Sequence, residues 1–199
     1  MSIKKELSPQ YQPNEIEGRI YQLWEESGFF NPDNLPKSHK KSFTVIMPPP
    51  NASAAMHIGN AVGVVLQDIM IRYKRMRGCK TLWLPGTDHA GFETQVVFDK
   101  KLQKEGKNRS EIPRDELYNQ MLEFTRENRK IVEHQLRKLG ASCDWSREKF
   151  TLDSDIVEQV QKTFVDLYND GFIYRGERIV NWCRKHQTAL ADLETKHIE

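Results

Sequence analysis

The feature of the sequence that most constrains the fold is a short apolar segment that runs into three consecutive prolines. Residues 43–47 (Phe-Thr-Val-Ile-Met) are apolar and partly β-branched, which predicts a buried strand, and the prolines at 48–50 must end it. Apolar residues then recur at helical spacing from Ile58 to Met76, and Gly78 follows at the predicted helix end. A strand that turns into a long helix is the repeating unit of parallel α/β sheets, so we predict an α/β fold.

The rest of the chain repeats this alternation of short apolar segments and long helical ones. Residues 81–84 (Thr-Leu-Trp-Leu) predict a second buried strand, and residues 173–182 predict a strand pair about a glycine-containing turn. Further helices are predicted at residues 93–105, at residues 114–139, and from Asp153 or Ser154 to Gly171. This alternation favours a mainly parallel sheet with flanking helices.

A shorter helix is predicted near the N-terminus, before the first strand. Asn14 can cap it, and Gly28 ends it. Its apolar face is formed by four residues at helical spacing: Ile16, Ile20, Leu23 and Trp24. Residues 31–41 are polar and contain prolines, which predicts a linker between this helix and the first strand.

The charge balance and the cysteines narrow the possible settings of the protein. The 30 Lys and Arg residues exceed the 28 Asp and Glu residues by two, so net charge neither supports nor excludes a nucleic-acid partner. The three cysteines are far apart in sequence, which favours a reducing, cytoplasmic setting over a disulfide framework. The sequence has no apolar run near the roughly 20 residues that cross a bilayer, so we expect no membrane contact.

The turn between the first strand and the long helix contains the residues best suited to bind a nucleotide. Ligands of parallel α/β sheets lie beyond the carboxyl ends of the strands, where helix N-termini offer free N–H groups to phosphate. His57 and Asn60 lie three residues apart at this helix start, and both can donate to the oxygens of a reacting phosphoryl group. Gly59 between them has no side chain, so we expect open space where a flat base or a ribose can lie against the backbone. Taken alone, a histidine at a helix start is more often a cap or a surface residue, and both interpretations stay open.

Several motifs together resemble those of a known family. They are Pro-Pro-Pro-Asn at 48–51, His-Ile-Gly-Asn at 57–60, Gln-Asp-Ile-Met-Ile-Arg-Tyr-Lys-Arg-Met at 67–76, Pro-Gly-Thr-Asp-His-Ala-Gly at 85–91, Leu-Gly-Ala-Ser-Cys-Asp-Trp-Ser-Arg-Glu at 139–148 and Val-Asn-Trp-Cys at 180–183. From about residue 10 to the end, the chain resembles the valine branch of the class I aminoacyl-tRNA synthetases.

This resemblance implies a Rossmann-like (HUP) nucleotide-binding α/β fold, of which the chain contains the first half. It implies an N-terminal arm and helix at residues 1–41, the first half of the catalytic domain at 42–190, and the start of an editing-domain insertion at 191–199. It also implies a cytoplasmic enzyme, monomeric when full length, that activates valine with ATP and Mg²⁺ and transfers it to tRNA(Val). We expect the isolated chain to be inactive, because the loop that grips pyrophosphate lies outside it.

For the nucleotide, the resemblance implies contacts from His57, Gly59, Asn60 and His89. His57 and Asn60 would stabilise the transition state of adenylation. Asn60 stands where this branch usually has histidine, so a donor is kept but the option of a charged donor is lost. His89 would contact ATP or only order its loop.

For the amino acid, the resemblance implies that Asn51 and Asp88 hold the α-ammonium group. An ammonium that leaves water needs a carboxylate and further acceptors, which these residue types supply. Pro48 and Pro49 would form an apolar wall against a short branched side chain. The structural alternatives are a helix-entry cap for Asn51, a loop cap for Asp88, and a rigid turn for the two prolines.

Two other groups of residues suggest weaker sites. Cys183 and His186 form half of a possible zinc site, but structural zinc takes four ligands and the chain has no second pair, so we expect no zinc. A basic cluster at the end of the long helix could contact tRNA phosphates, although a solvated helix end is the favoured interpretation. Its members are Arg72, Lys74, Arg75 and Arg77.

Three alternative functions remain open from the sequence. The chain could belong to an isoleucine or leucine enzyme of the same class, since one methylene in a pocket is worth only about 1–3 kcal/mol. It could be a small-molecule adenylyltransferase, although these lack a segment like Ser-Cys-Asp-Trp-Ser-Arg at 142–147. It could also be a non-catalytic remnant that binds nucleotide or RNA.

Overall fold

The protein alternates helices and short strands across two compact units, Met1–Val157 and Glu158–Glu199. The computed structural model describes residues 10–196 and residue 198. The first unit contains α1 (Pro13–Glu26), β1 (Lys41–Ile46), α2 (Ile58–Met76), β2 (Cys79–Leu84), β3 (Gly86–Thr87), α3 (Gly91–Lys104), α4 (Arg114–Lys138) and β4 (Lys149–Phe150). Helix α5 (Ser154–Asn169) crosses the unit boundary, and the second unit adds β5 (Asn181–Cys183) and β6 (Thr188–Leu190). Each helix in the described residues is too short or too polar to cross a membrane.

The two longest strands pair in parallel, as the alternation of strands and helices predicts. β1 lies beside β2 over six residue pairs, from Lys41 against Cys79 to Ile46 against Leu84. Helix α2 connects them, because a parallel pair needs a crossover that returns the chain to the same end of the sheet. β3 and β4 form a further parallel pair that the sequence does not indicate, since two-residue strands are too short to show a periodicity.

The core of the first unit is built around Trp83 on β2. This side chain is fully buried, and its Nε1 donates a hydrogen bond of 3.0 Å to Oε1 of Gln67 on α2. Burying so large a side chain stabilises the fold by roughly 2–3 kcal/mol when its N–H has a partner. The other members of this core are Met47, Val64, Ile71, Val132, Leu136, Ala141 and Cys143.

Polar contacts join the C-terminal half of α2 to the loop after α4. The carboxylate of Asp68 accepts from the backbone N–H of Ser142 at 3.1 Å and from its Oγ at 2.5 Å. Arg72 donates to Asp68 and to the carbonyl of Gly140, and Arg75 donates to the hydroxyl and the carbonyl of Ser142. The interpretation of a solvated basic helix end is therefore wrong for Arg72 and Arg75, whose guanidinium groups hold two segments together.

The apolar stripe that predicts α2 lies on the surface of the described structure. The helix forms where the spacing places it, but the side that faces the core carries Val64 and Ile71 instead. Periodicity detects an apolar face without identifying what covers it. The residues of the stripe are 42–82% exposed: Ile58, Val62, Val65, Leu66, Ile69, Tyr73 and Met76.

Helix α1 begins two residues earlier than predicted and buries a different side chain. Pro13 lies in its first turn, after Gln12 as the N-cap, because the fixed φ of proline suits that position. The predicted cap by Asn14 is therefore wrong. The aromatic side chain that α1 buries is Tyr21, whereas Leu23, on the predicted face, is 58% exposed.

In the second unit, the predicted position of the strand pair is wrong. β5 and β6 pair antiparallel at 181–190, and the turn between them reaches Gln187, whose φ is +51°. The β-branched residues Ile179 and Val180 favoured strands over 173–182, but both side chains are exposed. Strand propensity depends on packing against neighbouring strands, which these two residues do not have within the described structure.

Replacing Tyr21 with phenylalanine should destabilise the first unit without changing its shape. The buried hydroxyl donates to the carbonyl of Ala141 at 2.7 Å and accepts from Nε1 of Trp145 at 2.8 Å. Tyr21→Phe leaves both partners without this hydrogen bond, so the free energy of unfolding should fall by about 1–3 kcal/mol. Urea unfolding of the chain measures this as a lower midpoint at an unchanged slope.

The matched control for this prediction is Tyr11→Phe. Tyr11 is 60% exposed and its hydroxyl bonds only the exposed Glu17 among the described residues, so the same loss of a hydroxyl should change little. Equal midpoints for the two variants would show that the Tyr21 hydroxyl does not hold α1 to the loop at 141–145.

Candidate functional site

An open cavity of about 430 Å³ lies where β1 ends and α2 begins. Six of the eight residues predicted to bind ATP or the amino acid line it: Pro48, Pro49, Asn51, His57, Gly59 and Asn60. The apolar side chains of Met47 and Val64 line it from the core side. The cavity thus lies beyond the carboxyl end of a parallel strand and at a helix N-terminus, as the sequence predicts.

Backbone hydrogen bonds beyond the strand ends hold the two loops of the site together. The N–H of Asp88 donates to the carbonyl of Pro50 at 2.9 Å, and the N–H of Ala52 donates to the carbonyl of Asp88 at 2.7 Å. These bonds make Asn51 and Asp88 neighbours in an isolated parallel bridge. Proline can serve here because its missing N–H is not needed, while its carbonyl still accepts.

His57 and Asn60 form a reciprocal cap at the start of α2. Nδ1 of His57 accepts from the N–H of Gly59 at 3.1 Å, and Oδ1 of Asn60 accepts from the N–H of His57 at 3.1 Å. An accepting Nδ1 has no proton, so the ring proton of a neutral His57 lies on Nε2. Each residue therefore caps the helix with its acceptor and keeps a donor, Nε2–H or Nδ2–H, for a ligand. The cap and the phosphate-donor interpretations are compatible.

The structure gives a reason for glycine at position 59 that differs from the expected one. A Cβ built at this position would lie 2.9 Å from Cε1 and 3.0 Å from Nδ1 of His57. Such distances are too short for any side chain, so glycine is what allows the imidazole to fold back onto its own helix. The expectation of open space for a flat ligand is untested, but the imidazole itself fills part of that space.

The structure does not bring Asp88 and His89 into this cavity. Oγ1 of Thr151 donates to Oδ1 of Asp88 at 3.1 Å, while the backbone N–H and Nδ1 of His89 lie 2.9 and 2.6 Å from the same Oγ1. Because the threonine proton goes to Asp88, Nδ1 of His89 must donate and carries the ring proton. His89 lines a separate cavity of about 370 Å³ with Arg109 and Tyr118.

Glu93, in the first turn of α3, is a lining residue that the sequence analysis missed. Its Oε2 accepts from Nδ2 of Asn51 at 2.6 Å, and its Oε1 accepts from Oγ of the buried Ser53 at 2.9 Å. An acidic residue in the first turn of a helix is common because it complements the helix dipole, so its type alone gave no signal. Thr151 was missed for a different reason: its role depends on contacts with Asp88 and His89, which are distant in sequence.

The described residues contain no group of three or more His, Cys, Asp or Glu side chains arranged to hold a metal ion. In the second unit, Sγ of Cys183 lies 3.3 Å from Nδ1 of His186 in the β5–β6 hairpin. The two weak zinc candidates are therefore adjacent, and they supply two of the four ligands that structural zinc requires.

Comparison with known protein families gives one match over most of the chain. The family described as tRNA synthetases class I (I, L, M and V) matches residues 19–199. The chain is 48% identical over 192 residues to the valine--tRNA ligase of Dehalococcoides mccartyi, a match that covers 96% of this chain and 22% of that protein. It is 46% identical over 195 residues to the valine--tRNA ligase of Thermotoga maritima, covering 98% of this chain and 22% of that protein. The chain thus spans about a fifth of the length of these relatives.

A solved structure is similar as well. It is the crystal structure of the ternary complex of Agrobacterium radiobacter K84 agnB2 LeuRS-tRNA-LeuAMS. The superposition has a TM-score of 0.73 at 28% sequence identity and covers 92% of this chain and 21% of that one. Together with the family match, it confirms the predicted Rossmann-like α/β fold.

Replacing Gly59 with alanine should move the His57 imidazole while leaving the helix intact. Alanine suits a helix better than glycine by roughly 0.5–1 kcal/mol, but a displaced ring no longer caps the N–H of residue 59, which costs roughly 0.5–2 kcal/mol. The stability of the chain should therefore stay close to that of the wild type or fall slightly. The new methyl group would occupy the place of the ring, so the NMR signals of the His57 ring should shift. Gly18→Ala in α1, where a Cβ meets nothing within 4 Å, is the control. Unchanged His57 signals in Gly59→Ala would contradict this account of the glycine.

Proposed function

This chain belongs to the class I tRNA synthetases (I, L, M and V), and we propose that it supplies the first half of the catalytic domain of a valine--tRNA ligase. In the proposed reaction, the carboxylate of valine attacks the α-phosphate of ATP and pyrophosphate leaves. The valyl group then passes from the adenylate to tRNA(Val). The catalytic part is assigned to residues 42–190, after the arm and helix at 1–41 and before an editing insertion that starts at 191–199. The full-length enzyme is proposed to be cytoplasmic and monomeric.

The observation that carries the proposal is the reciprocal cap of His57 and Asn60 at the mouth of the cavity. Attack on a phosphoryl group needs little covalent chemistry from the protein, but it needs donors near the oxygens on which charge develops. The capping bonds use Nδ1 of His57 and Oδ1 of Asn60, so Nε2–H and Nδ2–H remain for those oxygens. The positive end of the α2 dipole adds to their effect.

The amino-acid side of the proposal rests on the loop residues beside this helix start. Pro48 and Pro49 line the cavity and form a rigid apolar wall for a short branched side chain. Asn51 lines it as an acceptor for the α-ammonium, and Asp88 is tied to Asn51 through the backbone bridge. The identity of the curated relatives supports valine over leucine or isoleucine, since a wall of two prolines alone discriminates by only about 1–3 kcal/mol per methylene.

Mg²⁺ is proposed to enter with ATP. It is a hard cation that keeps several waters and binds phosphate oxygens readily, so it does not require a cage of protein ligands. The carboxylate that lines the cavity, Glu93, is already held by Asn51 and Ser53. We therefore assign the metal's ligands to the nucleotide phosphates and propose no zinc site within these residues.

Variants of Asn60 test the proposed function. They can be assayed in a chimaera in which this chain replaces the matching segment of the Thermotoga maritima relative, by valine-dependent exchange of pyrophosphate into ATP. Asn60→Ala should lose roughly 10²-fold in rate, the loss typical of one transition-state donor. Asn60→His should keep or raise the rate, because the imidazole also donates.

Asn60→Asp separates the cap from the donor. It keeps the oxygen that accepts from the N–H of His57, so α2 should stay capped, but it has no proton to donate and repels phosphate. Its rate should therefore fall at least as far as that of Asn60→Ala. Asn108→Asp, the same change at a capping asparagine outside the cavity, is the control. A chimaera that supports exchange with another amino acid in preference to valine would refute the valine assignment. An Asn60→Asp variant with the parent rate would show that Asn60 caps the helix and does not donate to the phosphate.

Asp88 is proposed to bind the ammonium, although it does not line the cavity in this structure. If it does so, Asp88→Ala in the same chimaera should raise the KM for valine by an amount equivalent to roughly 2–5 kcal/mol and leave the KM for ATP nearly unchanged. Thr151→Val, which removes the donor to Asp88 but keeps its charge, should have a smaller effect. A valine KM within twofold of the parent in Asp88→Ala would remove this residue from the binding site.

A further inference from the structure

Glu93 lies on the exposed wall of the candidate site, where two donors hold its carboxylate. One carboxylate oxygen takes the Asn51 amide at 2.6 Å and the other takes the Ser53 hydroxyl at 2.9 Å. Ser53 is 3% exposed, so one of the two donors is anchored in the protein interior. The first turn of α3 is thereby tied to the loop that follows the three prolines.

This contact decides which atom of Asn51 is available to a ligand. An ionised carboxylate can only accept hydrogen bonds, so the NH₂ of Asn51 must face Glu93. Its carbonyl oxygen, Oδ1, is then the amide atom left to accept from a bound molecule. Without Glu93 the amide could rotate by half a turn and offer a donor instead, since its two ends have nearly the same shape.

Glu93 also determines the charge of the cavity. Among the described residues that line it, Glu93 is the one carboxylate, and the other side chains are apolar, neutral polar or imidazole. Asp88 lies outside this lining and is bonded to Thr151. A cationic group that leaves water to enter the cavity needs an anionic partner close by.

We propose that Glu93 is a positioning and selectivity residue for the α-ammonium group of the amino acid. It holds Oδ1 of Asn51 as an acceptor and supplies the negative charge that favours an amine over an uncharged group. This inference rests on the proposed function, because it assumes that the cavity takes an amino acid. The competing explanation is a purely structural tie between α3 and the loop at 51–53.

The test is ligand titration of the 199-residue chain by NMR, which detects weak binding. The ligands are L-valine, isobutylamine, which keeps the ammonium but lacks the carboxylate, and isovalerate, which keeps the carboxylate but lacks the ammonium. Glu93→Gln should weaken binding of valine and isobutylamine by at least about tenfold, the effect of losing one charge-assisted contact. Binding of isovalerate and ATP should stay the same or become tighter, because both are anions and the variant removes a negative charge from the cavity.

A second signal reports the positioning role directly. The side-chain amide of Asn51 should give a shifted NH₂ resonance in the wild type, identified by its loss in Asn51→Asp, because one proton bonds a carboxylate. That shift should collapse in Glu93→Gln. Glu127→Gln, at an exposed glutamate of α4 outside the cavity, removes the same charge and should change neither signal.

The outcomes separate this inference from the proposed function. Equal weakening of valine and isovalerate, or no weakening of valine, would overturn the role of Glu93 and leave it as a structural tie. A wild-type preference for leucine would refute the valine assignment. The role of Glu93 in binding the ammonium group would then be tested by comparing leucine with its deaminated analogue. A wild type that binds ATP but no amine would overturn the Glu93 inference and leave the nucleotide site in place.

Discussion

The candidate site depends on two backbone hydrogen bonds formed after the parallel strands have ended. They join Pro50 to Asp88 and Asp88 to Ala52. Loops usually diverge beyond a sheet, because nothing pairs their peptide groups. Here the bridge extends the parallel pairing into the loops, so that Asn51 stays in line with β1 and next to the loop that follows β2. The same stretch of loop also contains Ser53, and through it the anchor for Glu93.

Helix capping and the proposed ligand binding use different atoms of the same side chains. A helix start leaves unpaired N–H groups, and His57 and Asn60 satisfy two of them with an imidazole nitrogen and an amide oxygen. Each of these side chains has one acceptor and one donor in this state, so satisfying the helix leaves the donors free. Stability and the proposed function therefore do not compete at this position, in contrast to sites where strain is kept for catalysis.

The parts of this structure that were predictable are those encoded locally. The β1–α2–β2 unit follows from apolar periodicity and prolines, and the six cavity residues follow from motif resemblance. Tyr21 and Glu93 were missed because their roles depend on partners far away in sequence: Tyr21 bonds Ala141, and Glu93 bonds Asn51. The exposed stripe of α2 shows the other limit, since a helical pattern does not reveal what covers its apolar face.

The two histidines that were predicted to contact the nucleotide, His57 and His89, differ in which ring nitrogen carries the proton. Nδ1 of His57 accepts from Gly59, so its outward Nε2 is a donor, whereas Nδ1 of His89 donates to Thr151, so its Nε2 has a lone pair. Phosphate oxygens are attracted by the first ring and repelled by the second while it is neutral. A hydroxyl or an exocyclic amino group suits the second ring equally well. Histidine thus offers a donor in one cavity and an acceptor in the other. The hydrogen bond made by Nδ1 of each ring determines which of the two its Nε2 offers to a ligand.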